Sequence, residues 1–138
     1  MDPTPTTYSL GLKPGTTLTI KGIVPPFTKN FSFNIGMDFN NLALHFNPRL
    51  NHGPDVNTIV CNSRYRGIWG EEFRQHRFPF HKGQKVEVTV QYEMDQMKIT
   101  LQDGHTFVFP NRLDMRTVNY LSVEGFDLHS HGVTQTQC

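Results

Sequence analysis

Alanine is almost missing from this chain of 138 residues; Ala43 is the only one. Helices draw heavily on alanine, the best helix former, so the shortage speaks against a helical protein. Tryptophan also occurs once, at Trp69, and cysteine twice, at Cys61 and Cys138. Two cysteines do not make a disulfide framework. "MDPTPTTYSL" lacks the basic stretch and apolar block of a signal peptide, so both are expected to be reduced thiols of a cytosolic protein. No apolar run reaches the roughly 18–20 residues of a membrane helix, and no membrane insertion is expected. Charge of one sign is lacking too. The formal net charge is +1, which predicts no whole-molecule attraction to nucleic acid or anionic lipid. Internal repeats and low-complexity tracts are absent, and the length suits a single domain over residues 1–138. Asn30-Phe31-Ser32 matches a glycosylation sequon that, without a secretory signal, is expected to be unused.

What is present favours strands. Phenylalanine occurs 11 times, and it joins valine and threonine in short alternating runs between turns. Expected strands lie in "TTLTIKGIV" (16–24), "NFSFNIG" (30–36), "NLALHFN" (41–47), "VNTIVCNS" (56–63) and "QKVEVTVQYE" (84–93). Further ones lie in "MKITLQ" (97–102), "HTFVF" (105–109), "TVNYLSV" (117–123) and "GFDLHS" (125–130). "PRLNHGPD" (48–55) reads as turn-rich, Lys82-Gly83 and Asp103-Gly104 as tight turns, and "NRLDM" (111–115) as one short helical turn. So many short strands predict an all-β sandwich or jelly roll.

One of these strands carries an unusual polar row. In "LALHFNPRL" (42–50), Leu42, Leu44 and Phe46 alternate toward a core, while His45, Asn47 and Arg49 alternate on the other face. A solvated face usually carries threonine, lysine or glutamate; this one carries three groups chosen for directional hydrogen bonds. In "IVCN" (59–62), Ile59 and Cys61 take the core side, Val60 and Asn62 the other. In "IWGEEFRQH" (68–76), Trp69 sits between Gly67 and Gly70 in a bend that could hold it near the surface. Glu72 and Arg74 share a face there. Each element alone has an ordinary explanation: a core tryptophan, a strand-end asparagine, a weak surface ion pair. Together they match a sugar. A pyranose offers a patch of C–H bonds to an aromatic plane, and hydroxyls that both donate and accept. Arginine adds oriented donors that lysine does not.

At these residues the sequence resembles the galectins, the β-galactoside-binding animal lectins. Their pattern H-x-N-x-R, V-x-N, W-x-x-E-x-R reads here as His45-Phe46-Asn47-Pro48-Arg49, Val60-Cys61-Asn62 and Trp69-Gly70-Glu71-Glu72-Phe73-Arg74. "LGLKPG" (10–15), "NTIVCNS" (57–63), "FPF" (78–80) and "FPNRL" (109–113) extend the likeness over nearly the whole chain. The resemblance implies a jelly-roll sandwich of two antiparallel sheets and calcium-independent binding of lactose and N-acetyllactosamine, with neither cofactor nor metal. It assigns His45, Asn47 and Arg49 to the axial 4-hydroxyl of galactose, and Asn62 and Glu72 to the 6-hydroxyl. Arg49, Glu72 and Arg74 would reach the second sugar, and Trp69 would stack on the galactose ring.

Glu72 is expected to bridge Arg49 and Arg74, Asp55 to brace Arg49, and Val60 and His52 to play accessory parts. His52 and Gly53 come one position earlier than in close vertebrate relatives, and Pro54 is inserted. The polar ending "FDLHSHGVTQTQC" departs from the apolar terminal strand that pairs many one-domain galectins; a homodimer remains the expectation. The implied partners are glycoproteins and glycolipids bearing β-galactosides, met in the cytoplasm and, after secretion without a signal peptide, outside the cell.

Other readings are weaker. A glycosidase needs two carboxylates across the scissile bond, yet Glu71 and Glu72 are adjacent and point to opposite faces of a strand, and no second carboxylate is evident on the motif face. "RYRGIW" (64–69) mixes arginine with aromatics, as single-strand nucleic-acid sites do, but the neutral charge argues against it. A galectin-like protein-interaction module with little sugar binding is the alternative reading; the complete motif weighs against it. His129 and His131 lack partners for a metal site. If His45 kept the ordinary histidine pKa of about 6.5, binding would weaken in mild acid.

Overall fold

The computed structural model describes residues 6–136, so Cys138 lies outside the described residues. Among them are twelve strands and no helix: β1 (Thr6–Leu12), β2 (Thr16–Ile23), β3 (Ser32–Asp38), β4 (Asn41–His52), β5 (Asp55–Tyr65), β6 (Ile68–Trp69), β7 (Phe73–Gln75), β8 (Lys85–Tyr92), β9 (Gln96–Thr100), β10 (Thr106–Pro110), β11 (Val118–Glu124) and β12 (Asp127–Gln135). They form two antiparallel sheets, the jelly-roll sandwich expected. One is ordered β1-β11-β3-β4-β5, with β6 and β7 both pairing with β5; the other is ordered β10-β9-β8-β2-β12.

Phenylalanine fills the space between the sheets. Phe33 stacks on Phe46 at 5.7 Å between ring centres, and Phe31 meets Phe80 edge-on at 5.5 Å. Val86, Val88, Val90 and Tyr92 of β8 all face this core, as their alternation predicts. The Tyr92 hydroxyl does not go unpaired: it donates to the Met115 carbonyl and accepts from Asn111 Nδ2 at 2.9 Å. Burial of a hydroxyl is tolerable only on such terms.

Several elements differ from their expected form. β1 has no counterpart among the expected strands. "NRLDM" is a plain turn in which Asp114 adopts a φ of 50°. β12 runs to Gln135, paired with β2 except for a register shift between Leu128 and Ser130, so the polar run is strand as far as Gln135. The alternation in β4 breaks at a bulge, where the register slips by one between Leu42 and His45. Leu42 is therefore buried outside the main core cluster, and Ala43 joins Leu44 and Phe46 inside it.

β4 also continues through Pro48 to His52, where a turn was expected. A residue in an antiparallel ladder points its N–H and C=O to the same side. The Pro48 carbonyl accepts from Phe31 N at 3.1 Å, just ahead of the start of β3. The missing proline N–H thus costs one bond beyond the last β3–β4 pair, Phe33–Phe46, where only an isolated Asn30–Arg49 bridge follows, and pairing with β5 continues past it. Only Gly53 and Pro54 form the turn. Gly53 has a φ of 61° and precedes proline, the pattern of a tight type II′ hairpin. The hairpin closes with His52 opposite Asp55.

Candidate functional site

The outer face of the β3-β4-β5 sheet carries two hydrogen-bonded rows. The first runs along β4 and across the hairpin. Asn47 is buried, and its Nδ2 donates to the Phe31 carbonyl at 2.8 Å and to Asn30 Oδ1 at 3.2 Å. Those two bonds turn its Oδ1 toward Arg49 Nε, 2.8 Å away. Arg49 NH1 then meets Asp55 Oδ2 at 2.6 Å, and Asp55 Oδ1 meets Arg74 NH1 at 2.6 Å. Arg74 NH2 ends the row on Glu72 Oε1 at 3.0 Å. The carboxylate that bridges the two arginines is therefore Asp55; the expected bridge through Glu72 reaches Arg74 only. The two-residue hairpin explains this, because it folds Asp55 back beside Arg49. The donated hydrogen bonds of Arg74 and then Arg49 hold the Asp55 carboxyl below the usual range.

The second row crosses the strands. Ser122 on β11, Asn34 on β3, His45 on β4 and Asn62 on β5 are successive cross-strand partners. Asn34 Oδ1 contacts His45 Nδ1. The imidazole also lies against Trp69, with ring centres 4.7 Å apart and planes tilted by 52°. Burial, and then the positive charges of Arg49 and Arg64, push the His45 pKa down to about 4 against an upward pull from Glu72. The expectation of acid-sensitive binding near pH 6.5 is thereby corrected: the ring stays neutral far below that pH.

Trp69 is brought to the surface by the β5–β6 hairpin. Its turn residues Arg66 and Gly67 have φ values of 51° and 79°, the two positive angles of a type I′ turn. Trp69 is 45% exposed, a fate that separates it from an ordinary core tryptophan. The Arg64 guanidinium lies between two rings, 4.9 Å from the Trp69 centre and 4.6 Å from that of Phe39. This cation–π stack steadies the indole.

Asn62 is buried and largely occupied. Its Oδ1 accepts from Ser63 N at 2.8 Å and Arg112 NH1 at 3.3 Å, and its Nδ2 donates to the Gly70 carbonyl at 3.0 Å. One amide hydrogen is left for a ligand. Gly70 must be glycine for this cluster to close: a Cβ there would lie 2.9 Å from Ser63 Oγ and 3.0 Å from Arg112 NH1. Val60 is buried between Asn47 and Arg74, its cross-strand partners. His52 stays outside the ionic row, with Nδ1 3.4 Å from Asn30 Nδ2.

The structure thus brings His45, Asn47, Arg49, Asn62, Trp69, Glu72 and Arg74 onto one face, with Asp55 at the centre of the charged row. Asp55 braces Arg49, as expected, and adds to that face a second carboxylate that the comparison with glycosidases did not count. Asn34, Ser122, Arg64 and Arg112 were missed altogether. The only local sign of the first two was polar residues alternating with Phe33, Ile35, Leu121 and Val123.

An exposed indole beside a fixed row of amide, guanidinium and carboxylate groups is the equipment of a carbohydrate-binding sandwich. The galactoside-binding lectin family model matches residues 3–133, and the chain belongs to that family, the galectins. Galectin-1 of Bos taurus is 50% identical over 117 residues, covering 85% of this chain and 87% of its own. The toad ovary galectin solved in complex with thio-digalactose superposes with a TM-score of 0.92 at 38% identity, covering 96% of this chain and 99% of its own. CG-16, a homodimeric agglutinin from chicken liver, superposes with a TM-score of 0.89 at 40% identity, covering 95% and 100%.

Proposed function

We propose that this galectin is a calcium-independent, non-enzymatic receptor for β-galactosides such as lactose and N-acetyllactosamine on glycoproteins and glycolipids. One observation carries the reading: the row Asn47–Arg49–Asp55–Arg74–Glu72 is held continuously by its own hydrogen bonds beside exposed Trp69. Side chains already held in place lose little entropy when a ligand arrives.

In this reading the galactose C–H face lies on Trp69, and His45, Asn47 and Arg49 converge on the axial 4-hydroxyl. Asn62 gives its free amide hydrogen to the 6-hydroxyl, which Glu72 accepts. Arg49, Glu72 and Arg74 extend to the second ring. Glucose, with an equatorial 4-hydroxyl, would leave the convergent groups without partners. Each such loss costs about 1–3 kcal/mol when buried, and a hundredfold preference needs only about 2.7 kcal/mol. Burial here is partial, so a fraction of the full penalty from two groups suffices.

The pairing of the carboxylates supports binding without hydrolysis. A glycosidase requires a carboxylic acid held protonated near neutrality. Asp55 is pushed the other way by its two guanidinium partners, and Glu72 is committed to Arg74.

The kinship with CG-16 supports a homodimer, and the free edges of β1 and β12 offer surfaces on which two sandwiches can meet. Such a dimer crosslinks galactosides from inside a cytoplasmic pool or, after unconventional secretion, at the cell surface and matrix. Retention on lactose-agarose tests the site. The native chain is retained, elutes with free lactose and sediments as a dimer. Trp69→Leu and Arg49→Ala fold and flow through. Retention of either variant would move the site elsewhere.

A further inference from the structure

Asn34 forms no hydrogen bond to the ionic row, yet it holds the His45 ring beside that row. It lies between His45 and Ser122 as the direct cross-strand partner of both. Its Oδ1 is 2.5 Å from His45 Nδ1, and its Nδ2 donates to Ser122 Oγ at 3.1 Å and to Ser32 Oγ at 3.5 Å. Asn34 is 2% exposed and Ser122 0%, so solvent does not compete for these groups. Among the described residues, nothing bonds to His45 Nε2.

We propose that Asn34 is a positioning residue that accepts the Nδ1 proton of His45 and so fixes the tautomer whose Nε2 lone pair faces the sugar. The proposal rests on the reading of His45 as an acceptor for a galactose hydroxyl and names what makes it one. A neutral imidazole has one donor and one acceptor nitrogen, and the partner of the first decides which is which. With the carboxamide nitrogen occupied by two serines, the oxygen is left for the ring. The opposite tautomer would set an N–H against the hydroxyl proton that the ring has to accept.

The choice of asparagine has a second consequence. An aspartate here would also accept from Nδ1, but its charge would hold the imidazolium. Around His45, β3 and β11 contribute only neutral groups: Asn34, Ser32 and Ser122. β4 and β5 contribute the cations Arg49 and Arg64, β6 contributes Trp69, and Glu72 is the one anion acting on the ring. Asn34 therefore orients the ring without charging it. The acceptor survives through the pH range in which an ordinary histidine titrates.

Nitrogen-15 NMR of the His45 ring in the unliganded native chain reads the tautomer with no substitution and no sugar. The expected result is a proton on Nδ1 and a bare Nε2 at neutral pH. A proton on Nε2 overturns the proposal. Two variants then read its effect on binding. Asn34→Asp is expected to bind lactose nearly as the native chain does at about pH 8, and at least about tenfold more weakly at about pH 5.5. The native chain should change less than about twofold over that interval. Asn34→Leu is expected to lose about tenfold in affinity at every pH, with the Nδ1 proton no longer fixed. A flat profile in Asn34→Asp, or an unchanged ring spectrum in Asn34→Leu, also overturns the positioning role. A native chain with the Nδ1 proton in place that ignores lactose would refute the sugar reading and leave the positioning intact.

Discussion

Asp55 receives two guanidinium groups at 2.6 Å each, and with it the row depends on a carboxylate outside the motif that marks the family. Arg49 and Arg74 lie on different strands and would repel each other if it were neutral. Asp55→Asn removes the charge and keeps the shape. Lactose affinity is expected to fall about tenfold by calorimetry, with the fold retained, because both arginines lose the partner that holds their rotamers. Unchanged affinity would make Asp55 a bystander. The depressed pKa adds a pH signature. A carboxylate stabilised in the fold contributes stability above its unfolded pKa of about 3.9, and loses it as pH falls through the lower folded value. His45 acts in a different window. Its neutral folded form is disfavoured, relative to the unfolded chain, as pH drops from 6.5 toward 4. At this scale the motif residues were readable because a strand repeats every two residues. Asn34 and Arg112 were not, since their partners lie 11 and 50 positions away, and no local pattern announces such pairs.

The element that sets the platform is the β5–β6 hairpin. Its type I′ turn aims Trp69 outward, and Gly70 lets Arg112 reach Asn62. Gly70→Ala puts a methyl group against flexible side-chain ends, so the fold is expected to survive with Tm shifted by only a few degrees. The methyl displaces Arg112 from Asn62. Lactose affinity should drop several-fold, about 1 kcal/mol. A calorimetric titration paired with a thermal melt checks both parts, and native affinity would show that the Asn62–Arg112 contact is dispensable. Strands such as β8 were legible because valine alternation is unbroken from Val86 to Tyr92. β4 was half legible. Its alternation pointed to a strand, but a one-residue bulge at Ala43 and a ladder that continues past Pro48 leave no mark in a local pattern. The strand character of β12 beyond the expected stretch, from His131 to Gln135, came from pairing with β2, a tertiary effect that overrides its polar sequence.

At the scale of the whole molecule, the sandwich keeps one face of the β3-β4-β5 sheet rigid by packing its other face with phenylalanine. Phe33 and Phe46 stack directly beneath the strands that carry Asn34, His45 and Asn47. Rigidity is what allows an open groove to discriminate between epimers, since a mobile site could follow the hydroxyl. The all-β class was legible from one alanine and many short alternating runs. The order of strands in each sheet was not, because pairing partners are distant in sequence; it entered through the family resemblance. A second copy docked on the edge strands β1 and β12, as proposed from the homodimeric CG-16, would place two grooves on one body. What each groove reads remains the central claim, and a matched pair of disaccharides isolates it. Lactose and cellobiose differ only in the direction of one 4-hydroxyl. Titrated in parallel into the native chain with Trp69 fluorescence as the signal, lactose should shift the emission and saturate, while cellobiose at the same concentrations should leave it nearly unchanged, as about 2.7 kcal/mol of discrimination, a hundredfold in affinity, requires. Equal responses to the two sugars would contradict the account.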